Sequence, residues 1–264
     1  MRPSQLDAAV LEAARFLAAH HAEELRLGDV ADHVGYSPFH LARAFEARVG
    51  VPPGHYLAAQ RFEAAKSLLL GGEDRVVDVC MAVGFRSLGT FTDRFSALVG
   101  VSPTVFRQLP DRLADHPPQP MQRRGPAPQG ARVAGSLVLG AAATSVLGGA
   151  ASLYVGLFPA RAARGVPVSG QLLHEPGPFQ LLGVPPGRYW LLASALDRRG
   201  DPLSQLQPAA RVVGSAPGPL RLGPGELRCV GPVRLDLAPP WVPPVVVALP
   251  SLSLTQVATG PLVS

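Results

Sequence analysis

Apolar side chains recur at a helical spacing in the first part of the chain. Between residues 4 and 20 they fall on one face of a helix, at Leu6, Ala9, Val10, Ala13, Phe16 and Leu17. Further segments with helical patterns, capping residues or terminal glycines cover 27–34, 38–49, 53–70, 76–83, 88–98 and 103–108. These patterns predict an all-α domain over residues 1–110.

The helical domain contains one unit twice. Ser37–Tyr56 and Ser87–Phe106 lie 50 residues apart and agree at a Val-Gly-Val triplet, at a following proline and at a terminal aromatic residue. With one residue of slip, the residues upstream of each copy also align. We call residues 26–56 the first unit and residues 75–106 the second unit, and the duplication indicates two structurally equivalent pieces.

Each unit has the pattern of a helix-turn-helix, because a short helix, a turn containing Gly35 or Gly84 and a second helix follow one another. In the second helix, apolar residues four apart share a face and are expected to pack inward; they are Leu41 with Phe45, and Phe91 with Phe95. The outward faces would then be free to enter a DNA major groove. They carry Phe39, His40, Ala42 and Arg43 in the first unit and Gly89, Thr90, Asp93 and Arg94 in the second.

A long helix is predicted between the two units. At roughly 1.5 Å per residue it would span about 27 Å. We therefore expect the two outward faces to be separated by about one turn of DNA, near 34 Å.

The helical domain resembles the DNA-binding domain of AraC-type transcriptional regulators over residues 5–109. The resemblance is carried by the runs LGDVADHVGYSPFHLARAF, HYLAAQRFEAAKSLL and VVDVCMAVGFRSLGTFTDRFSALVGVSPTVFR. In that family, two helix-turn-helix units joined by a long helix read successive major-groove segments on one face of DNA. The resemblance implies base contacts from Phe39, Ala42 and Arg43 in the first unit and from Leu88, Gly89, Thr90 and Asp93 in the second.

Two of these positions are poorly suited to base reading. Ala42 is too short for a bidentate hydrogen bond, and Asp93 puts a carboxylate where the family often has a basic residue. A carboxylate accepts from cytosine N4 but repels phosphate, so the second unit is expected to bind mainly through the DNA backbone and shape. Phosphate contacts are expected from capping serines and nearby arginines; these are Ser37, Arg61, Arg86, Ser87, Arg94 and Arg107.

Proline becomes frequent after the helical domain. Residues 111–132 are rich in Pro, Gln and Arg, which predicts a semi-extended linker. Its arginines Arg123, Arg124 and Arg132 would either contact phosphate or only keep the linker solvated.

Short apolar runs bounded by Gly or Pro predict a β domain over residues 133–250. Two runs flank a Val-Pro-Pro-Gly turn within 178–193, and others cover 210–213, 220–222, 233–237 and 245–249. This spacing predicts a small antiparallel β-sandwich. Within residues 133–240, the run FQLLGVPPGRYWLLA is also similar to carboxypeptidase-regulatory-like, transthyretin-like sandwich modules, which usually bind or scaffold. Residues 251–264 are predicted to be a C-terminal tail.

Residues 133–160 carry no charged side chain. A transmembrane helix is one interpretation. The other is a pair of strands, 133–139 and 152–158, around a turn of small residues. Five glycines in the run favour the strands, so no membrane partner is expected.

The composition of the chain says more about its cellular compartment than about its function. Residues 1–110 carry 11 basic and 12 acidic residues, whereas residues 111–264 carry 13 and 7, so the net charge of +5 does not argue for DNA binding by the helices. The two cysteines, Cys80 and Cys229, exclude a disulfide framework and favour a reducing compartment, the cytoplasm. Cys80 is expected to be buried.

No metal, cofactor or catalytic chemistry is predicted. His20, His21, His33, His40 and His55 lack a ligand spacing. In the β domain, acid–base candidates occur without a nucleophile elbow or a phosphate-binding loop; they are His174, Glu175, Asp197 and Asp201. Tyr189 and Trp190 alternate along a strand, which leaves Trp190 as a candidate for stacking on a ligand.

The sequence as a whole predicts a two-domain transcriptional regulator that binds double-stranded DNA and is not an enzyme. The β domain would modulate DNA binding through a small-molecule effector, RNA polymerase or a second copy of the chain. One alternative is a DNA-binding adaptor whose β domain only dimerises or recruits a partner. The other is an enzyme that carries the helical domain as an accessory.

Overall fold

The computed structural model describes residues 5–254 of the 264-residue chain. Residues 5–115 are mainly helical, in the order α1 (Gln5–Ala19), α2 (Leu27–Val34), α3 (Pro38–Val49), α4 (Pro53–Gly71), α5 (Val76–Ala82), α6 (Leu88–Val99), α7 (Pro103–Arg107) and α8 (Leu109–Asp115). The bounds of α1 to α7 follow the expected segments closely. Helix α8 enters the stretch predicted as linker, because Leu109 and Leu113 are buried against the helical domain.

Each helix-turn-helix unit has its own apolar core. In the first, α1 packs with α2, α3 and the start of α4, and the buried residues include Val10, Leu17, Val30, Leu41, Phe45 and Tyr56. In the second, α4 to α7 enclose an aromatic cluster of Phe62, Phe85, Phe91, Phe95 and Phe106. Helix α4 contributes Tyr56 to one core and Phe62 to the other, so it connects the two units.

The remainder of the described chain is mostly β-structure. Its strands are β1 (Met121–Arg123), β2 (Ala131–Leu139), β3 (Ala151–Phe158), β4 (Ser169–Leu173), β5 (Gly177–Val184), β6 (Gly187–Asp197), β7 (Val212–Ser215), β8 (Leu220–Leu222), β9 (Leu227–Cys229) and β10 (Val233–Leu237). Short helices α9 (Ala141–Val146), α10 (Pro202–Leu206) and α11 (Ser251–Leu254) accompany them. Strand β1 lies in the predicted linker, which is thus largely part of the fold.

The strands form one curled sheet, which corrects the prediction of an antiparallel sandwich. Their order is β1-β4-β3-β6-β7-β10-β2-β5, with β8 beside β6 and β9 beside β2. Strand β2 pairs in parallel with both β10 and β9. The two ends of the sheet meet, because Gln122 Nε2 donates to Gln180 O at 2.7 Å and Ser169 Oγ donates to Leu182 O at 3.0 Å. The sheet thus curls around its own core, and no second sheet packs against it in the described part of the chain.

The strands on either side of the Val-Pro-Pro-Gly turn are present but do not form a ladder with each other in the described structure. Strand β5 pairs with β2, whereas β6 pairs with β3, β7 and β8. The turn therefore carries the chain from an edge of the sheet to its middle.

The charge-free run forms β2, α9 and β3, in agreement with the two-strand interpretation. Every residue of β3 is buried. Val155 faces the core of the sheet, and its neighbour Tyr154 packs on the opposite face. A strand covered on both faces has no position for a charge, which explains the composition. Among the residues described, no helix is both long and apolar enough to cross a membrane.

Residues 245–249 are an irregular segment and not the expected strand. Val246 and Ala248 join the core of the second unit. Val247 and Leu249 pack with Tyr154 on the outer face of the sheet. Alternate side chains thus pack against the helical domain and against the sheet. This alternation produces a strand-like sequence pattern without strand pairing. Of the predicted tail, residues 251–254 form α11, and residues 255–264 lie outside the described part of the chain.

Candidate nucleic-acid interface

Helices α3 and α6 carry the predicted base-reading residues, and we call them the reading helices. They begin in the same way. Ser37 Oγ accepts a hydrogen bond from the His40 N–H at 3.4 Å, and Ser87 Oγ accepts one from the Thr90 N–H at 3.3 Å. Serine at this position satisfies one of the free N–H groups at the start of a helix. Helices α3 and α6 therefore have matched N-termini, at which a phosphate could bind.

The turns before these helices differ in how crowded they are. Gly35 and Gly84 both adopt a left-handed backbone, with φ of 72° and 83°. A Cβ on Gly35 would have no neighbour within 4 Å, whereas a Cβ on Gly84 would lie 2.5 Å from Ala22 O. Glycine is needed at Gly84 both for its conformation and for the close approach of the loop after α1.

The inward and outward faces of α3 and α6 are as predicted. Leu41, Phe45, Phe91 and Phe95 are fully buried. Because these residues take up the inner faces, the predicted base-reading residues point away from the core. They are exposed at Phe39, His40, Arg43, Leu88, Gly89, Thr90 and Asp93, and partly exposed at Ala42.

In the first unit, the exposed face of α3 has a large aromatic residue beside a cation. Phe39 is 68% exposed, and the Arg43 guanidinium lies 5.6 Å from the centre of its ring. No carboxylate pairs with Arg43 among the described residues. A stacked arginine of this kind retains hydrogen-bond donors for a guanine edge, and Phe39 offers an apolar contact for a thymine methyl.

In the second unit, the exposed face of α6 has small side chains and one charge of each sign. Leu88 is 44% exposed at the start of the helix, followed by Gly89 and Thr90. Asp93 is the acidic residue on this face, and Arg94 follows it directly. This surface offers few hydrogen-bond donors to base edges.

Three of the predicted phosphate-binding arginines have contacts within the protein. Arg61 donates to His21 O and Glu23 O, both at 2.7 Å, and stacks on Phe85. Arg107 donates to Leu69 O and Asp74 O. Arg86 pairs with Glu24. Arg61 and Arg107 therefore hold helix ends together, which leaves Arg94 as the predicted phosphate ligand without such a contact in the described structure.

The arginines of the predicted linker belong to strands or to the loop beside them. Arg123 lies on β1 and donates to Pro167 O at 3.2 Å. Arg132 lies on β2 and is exposed, as is Arg124. Arg123 and Arg132 are therefore strand residues of the sheet.

The histidine and carboxylate candidates have local structural contacts. Among the residues described, no group of three or more His, Cys, Asp or Glu side chains could hold a metal ion. His174 Nε2 lies 3.1 Å from Pro118 O. The Asp197 carboxylate accepts from the Arg199 N–H, and that of Asp201 accepts from the Ser204 N–H at the start of α10. Cys80 is buried as expected, which raises the pKa of its thiol.

Tyr189 faces the core, as one of the pair was expected to do, and Trp190 is partly exposed. Two guanidinium groups lie over the Trp190 ring, that of Arg161 at 5.5 Å and that of Arg188 at 6.0 Å from the ring centre.

The β domain contacts the C-terminal ends of both reading helices. At α6, the Gly165 N–H donates to Leu98 O at 2.7 Å and the Ala248 N–H donates to Val99 O at 3.0 Å. At α3, the Arg48 guanidinium lies 5.6 Å from the centre of the Trp241 ring. Trp241 lies in the proline-rich stretch before residue 245, and its sequence pattern gave no indication of this contact.

A family model for a helix-turn-helix domain matches residues 30–109. The chain is 40% identical over 84 residues to the transcriptional activator AarP of Providencia stuartii. The aligned region covers 31% of this chain and 62% of that protein. It is 29% identical over 94 residues to the melibiose operon regulatory protein of Escherichia coli strain K12. That aligned region covers 36% of this chain and 31% of that protein. The chain therefore spans less than two thirds of the length of these relatives.

Solved structures similar to the chain include an AraC-type transcriptional regulator from Chromobacterium violaceum. It is 26% identical, and the match covers 42% of this chain and 95% of that one with a TM-score of 0.38. The DNA-binding domain of AdpA, solved in complex with a target DNA, is also 26% identical. That match covers 41% of this chain and 96% of that one with a TM-score of 0.37.

Proposed function

We propose that the protein is a sequence-specific transcriptional regulator of the AraC type, a reading supported by the helix-turn-helix model that matches residues 30–109 and by the similarity to the activator AarP. The protein binds one face of a DNA duplex with α3 and α6 in successive major-groove segments. The β domain modulates this binding.

The observation that carries the proposal is the pair of exposed, identically capped helices. Both α3 and α6 have a serine N-cap, a buried inner face and an exposed N-terminal half. Helix α4 between them has 19 residues, which corresponds to roughly 28 Å at 1.5 Å per residue. That length supports a spacing of about one turn of DNA between the two helices.

The two helices contribute differently to binding in this proposal. Phe39 and Arg43 on α3 contact base edges and specify sequence. Helix α6 contributes mainly through its N-terminus and Arg94, which position the protein on the phosphate backbone.

The contacts between the domains support a modulating role for the β domain. Hydrogen bonds from Gly165 and Ala248 reach the last turn of α6, and Trp241 stacks on Arg48 at the end of α3. A change in the β domain would therefore alter the relative placement of the two reading helices. A small molecule, RNA polymerase or a second copy of the chain could cause such a change. An adaptor whose β domain only dimerises or recruits would not need these contacts.

Selection of bound sequences from random double-stranded DNA tests the proposal on the full chain. We expect enrichment of two short sequence blocks about one helical turn apart, with the stronger preference in one block. A double variant, Phe39→Ala with Arg43→Ala, should lose the stronger block only. Arg199→Ala, which changes an exposed arginine of the β domain, is the matched control and should retain both. If the wild-type chain enriches no sequence, the proposal is wrong.

A further inference from the structure

A cavity of about 370 Å³ lies at the junction of the two domains. We call it the junction cavity. One wall is the outer face of the sheet, with Tyr154, Leu172 and Val213. The opposite wall comes from the proline-rich stretch, with Trp241, and from Arg48 and Val49 at the end of α3. Its volume falls within the range of pockets that hold small organic molecules.

Tyr154, in the wall of the junction cavity, has a buried hydroxyl group without a hydrogen-bond partner in the described structure. The residue is only 6% exposed. Buried hydroxyl groups are nearly always hydrogen-bonded, because the loss of water contacts is otherwise uncompensated. Burial also raises the pKa of Tyr154 far above its ordinary value, so the group remains a neutral donor and acceptor. A bound molecule with an oxygen atom at this position would supply the partner.

The charge around the junction cavity has one sign. Three arginines line it, Arg48, Arg123 and Arg161, and none of its described lining residues is acidic. Arg48 pairs with Asp7 at 3.4 Å, but no ion pair involves Arg123 or Arg161 in the described part of the chain. The stack on Trp190 holds the Arg161 guanidinium. Unpaired guanidinium groups beside an apolar wall favour a carboxylate, sulfonate or phosphate.

We propose that the junction cavity binds a small molecule with an apolar, preferably aromatic body and one anionic group. The apolar body packs between the sheet and Trp241. The Tyr154 hydroxyl bonds an oxygen of the molecule, and Arg123 and Arg161 attract its negative charge. Trp190 is not in the wall of the junction cavity and acts only by holding Arg161.

The position of the junction cavity links its occupant to DNA reading, and this step rests on the proposed function. Arg48 and Val49 belong to the last turn of α3, which carries Phe39 and Arg43 at its other end. An occupant that contacts this turn and the sheet together favours one placement of α3 relative to the β domain. A small molecule acts as an effector when it binds one placement of α3 more tightly than another.

Calorimetric titration of the full chain without DNA tests the site by itself. The probes are 2-naphthoate and 2-naphthylmethanol, which share the aromatic body and differ in charge. We expect 2-naphthoate to bind at least about tenfold more tightly than the alcohol, because only the carboxylate forms charge-assisted hydrogen bonds with guanidinium groups. Equal affinities, or no binding of 2-naphthoate, would overturn the proposal.

Two pairs of variants locate the binding. Tyr154→Phe should weaken 2-naphthoate binding about five- to tenfold. Tyr189→Phe, at a buried tyrosine outside the junction cavity, should not. Arg161→Gln should reduce the preference for the carboxylate over the alcohol, whereas Arg188→Gln, at the other guanidinium on Trp190, should leave it unchanged. Unchanged affinity in both Tyr154→Phe and Arg161→Gln, with thermal unfolding showing intact folds, would refute the site.

A final titration separates the site from the proposed function. The affinity of the chain for its selected DNA is measured with and without 2-naphthoate. A change in DNA affinity that disappears in Tyr154→Phe supports the link between the junction cavity and α3. Unchanged DNA affinity despite bound 2-naphthoate refutes the link and leaves the DNA-binding function intact. If the chain binds 2-naphthoate but no DNA, the proposed function fails while the site stands.

Discussion

The two helix-turn-helix units share one backbone plan and differ in where their aromatic residues lie. The second unit encloses five phenylalanines, and Phe95 lies within 6 Å of three other rings, measured between ring centres. In the first unit, Phe45 has one such neighbour, Tyr56 at 5.4 Å. Conversely, the first unit exposes Phe39 on its reading helix, where the second exposes Gly89. The second unit thus has more aromatic packing in its core, and the first unit exposes an aromatic side chain on its surface.

This difference shows which positions a duplicated unit must keep. The capping serines, the glycine after each reading helix and the inward pair four residues apart recur in both units. Backbone geometry and core packing require them. The outward positions have no such requirement, and they differ between the two units.

The two units also differ in how the β domain contacts them. The end of α6 is held by backbone hydrogen bonds from Gly165 and Ala248. The end of α3 is held largely by side chains, with Arg48 stacked on Trp241. We infer that the second unit is the fixed anchor of the domain pair and that the first unit is the part whose placement can change.

Removing a core ring should give the largest contrast between the units. Phe95→Ala is expected to lower the free energy of unfolding by about 5 kcal/mol and Phe45→Ala by about 3 kcal/mol, because each lost ring pair adds to the cavity cost. Urea unfolding of the full chain measures both. Equal losses would mean that the aromatic cluster contributes no more than ordinary packing.

The turn glycines provide the next contrast. Gly84→Ala should destabilise the fold by about 3 kcal/mol, because its Cβ would collide with Ala22 O in addition to the left-handed strain. Gly35→Ala should cost only about 1 kcal/mol, since it has the strain without the collision. Chemical denaturation of the two variants tests this. Similar losses would show that the loop after α1 adjusts without cost.

Arginine substitutions distinguish reading from positioning. Arg43→Ala should lose about 1–3 kcal/mol of discrimination at one base pair, while Arg94→Ala should weaken binding to all sequences and reduce the salt slope by about 1. Fluorescence anisotropy with single-base variants of the selected DNA, at several salt concentrations, measures both effects. Unchanged sequence preference in Arg43→Ala would remove Arg43 from the reading surface.

The smallest expected effect is a pH dependence confined to the first unit. Partial burial, and then the nearby Arg164, lower the pKa of His55, with smaller opposing and reinforcing contributions from Glu46 and Arg94. Fifty residues on, the equivalent position is Val105, which does not titrate. The unfolded state therefore binds more protons just below the ordinary pKa of about 6.5. The contribution of His55 to stability should be complete above this value and should be lost as the pH falls from it through the lowered pKa of the folded state.

Thermal unfolding of wild type and His55→Gln between pH 8 and pH 5 tests this expectation. The wild type should lose more stability on acidification than the variant. Parallel curves for the two proteins would exclude His55 as the source.

The helical domain was predictable because local signals and packing agree there. Ser37, Gly50 and the buried pair of Leu41 with Phe45 each point to the same helix, so its bounds follow from the sequence. The β domain was less predictable because strand pairing is a long-range property. The strands around the Val-Pro-Pro-Gly turn are correct, but β5 finds its partner in β2 rather than in β6. Residues 245–249 have the alternation of a strand only because they lie between two hydrophobic surfaces.

The candidate surface followed from helical periodicity, whereas the junction cavity did not. Tyr154 lies in an apolar strand and Trp241 among prolines, and neither context indicates a binding site. Their proximity depends on how the sheet curls and on how the β domain packs against α3. Likewise, the carbonyl partners of Arg61 and Arg107 come from distant parts of the chain, so no local pattern distinguishes them from Arg94.

The segment 245–249 has a consequence for synthesis of the protein. Val246 and Ala248 complete the core of a domain whose own helices end more than 100 residues earlier. Domains usually fold in order as the chain leaves the ribosome. Here the second unit keeps part of its hydrophobic surface uncovered until residues 245–249 have left the ribosome. Maturation of the helical domain therefore depends on this later segment, and a product truncated before residue 245 would have its core incomplete on this side.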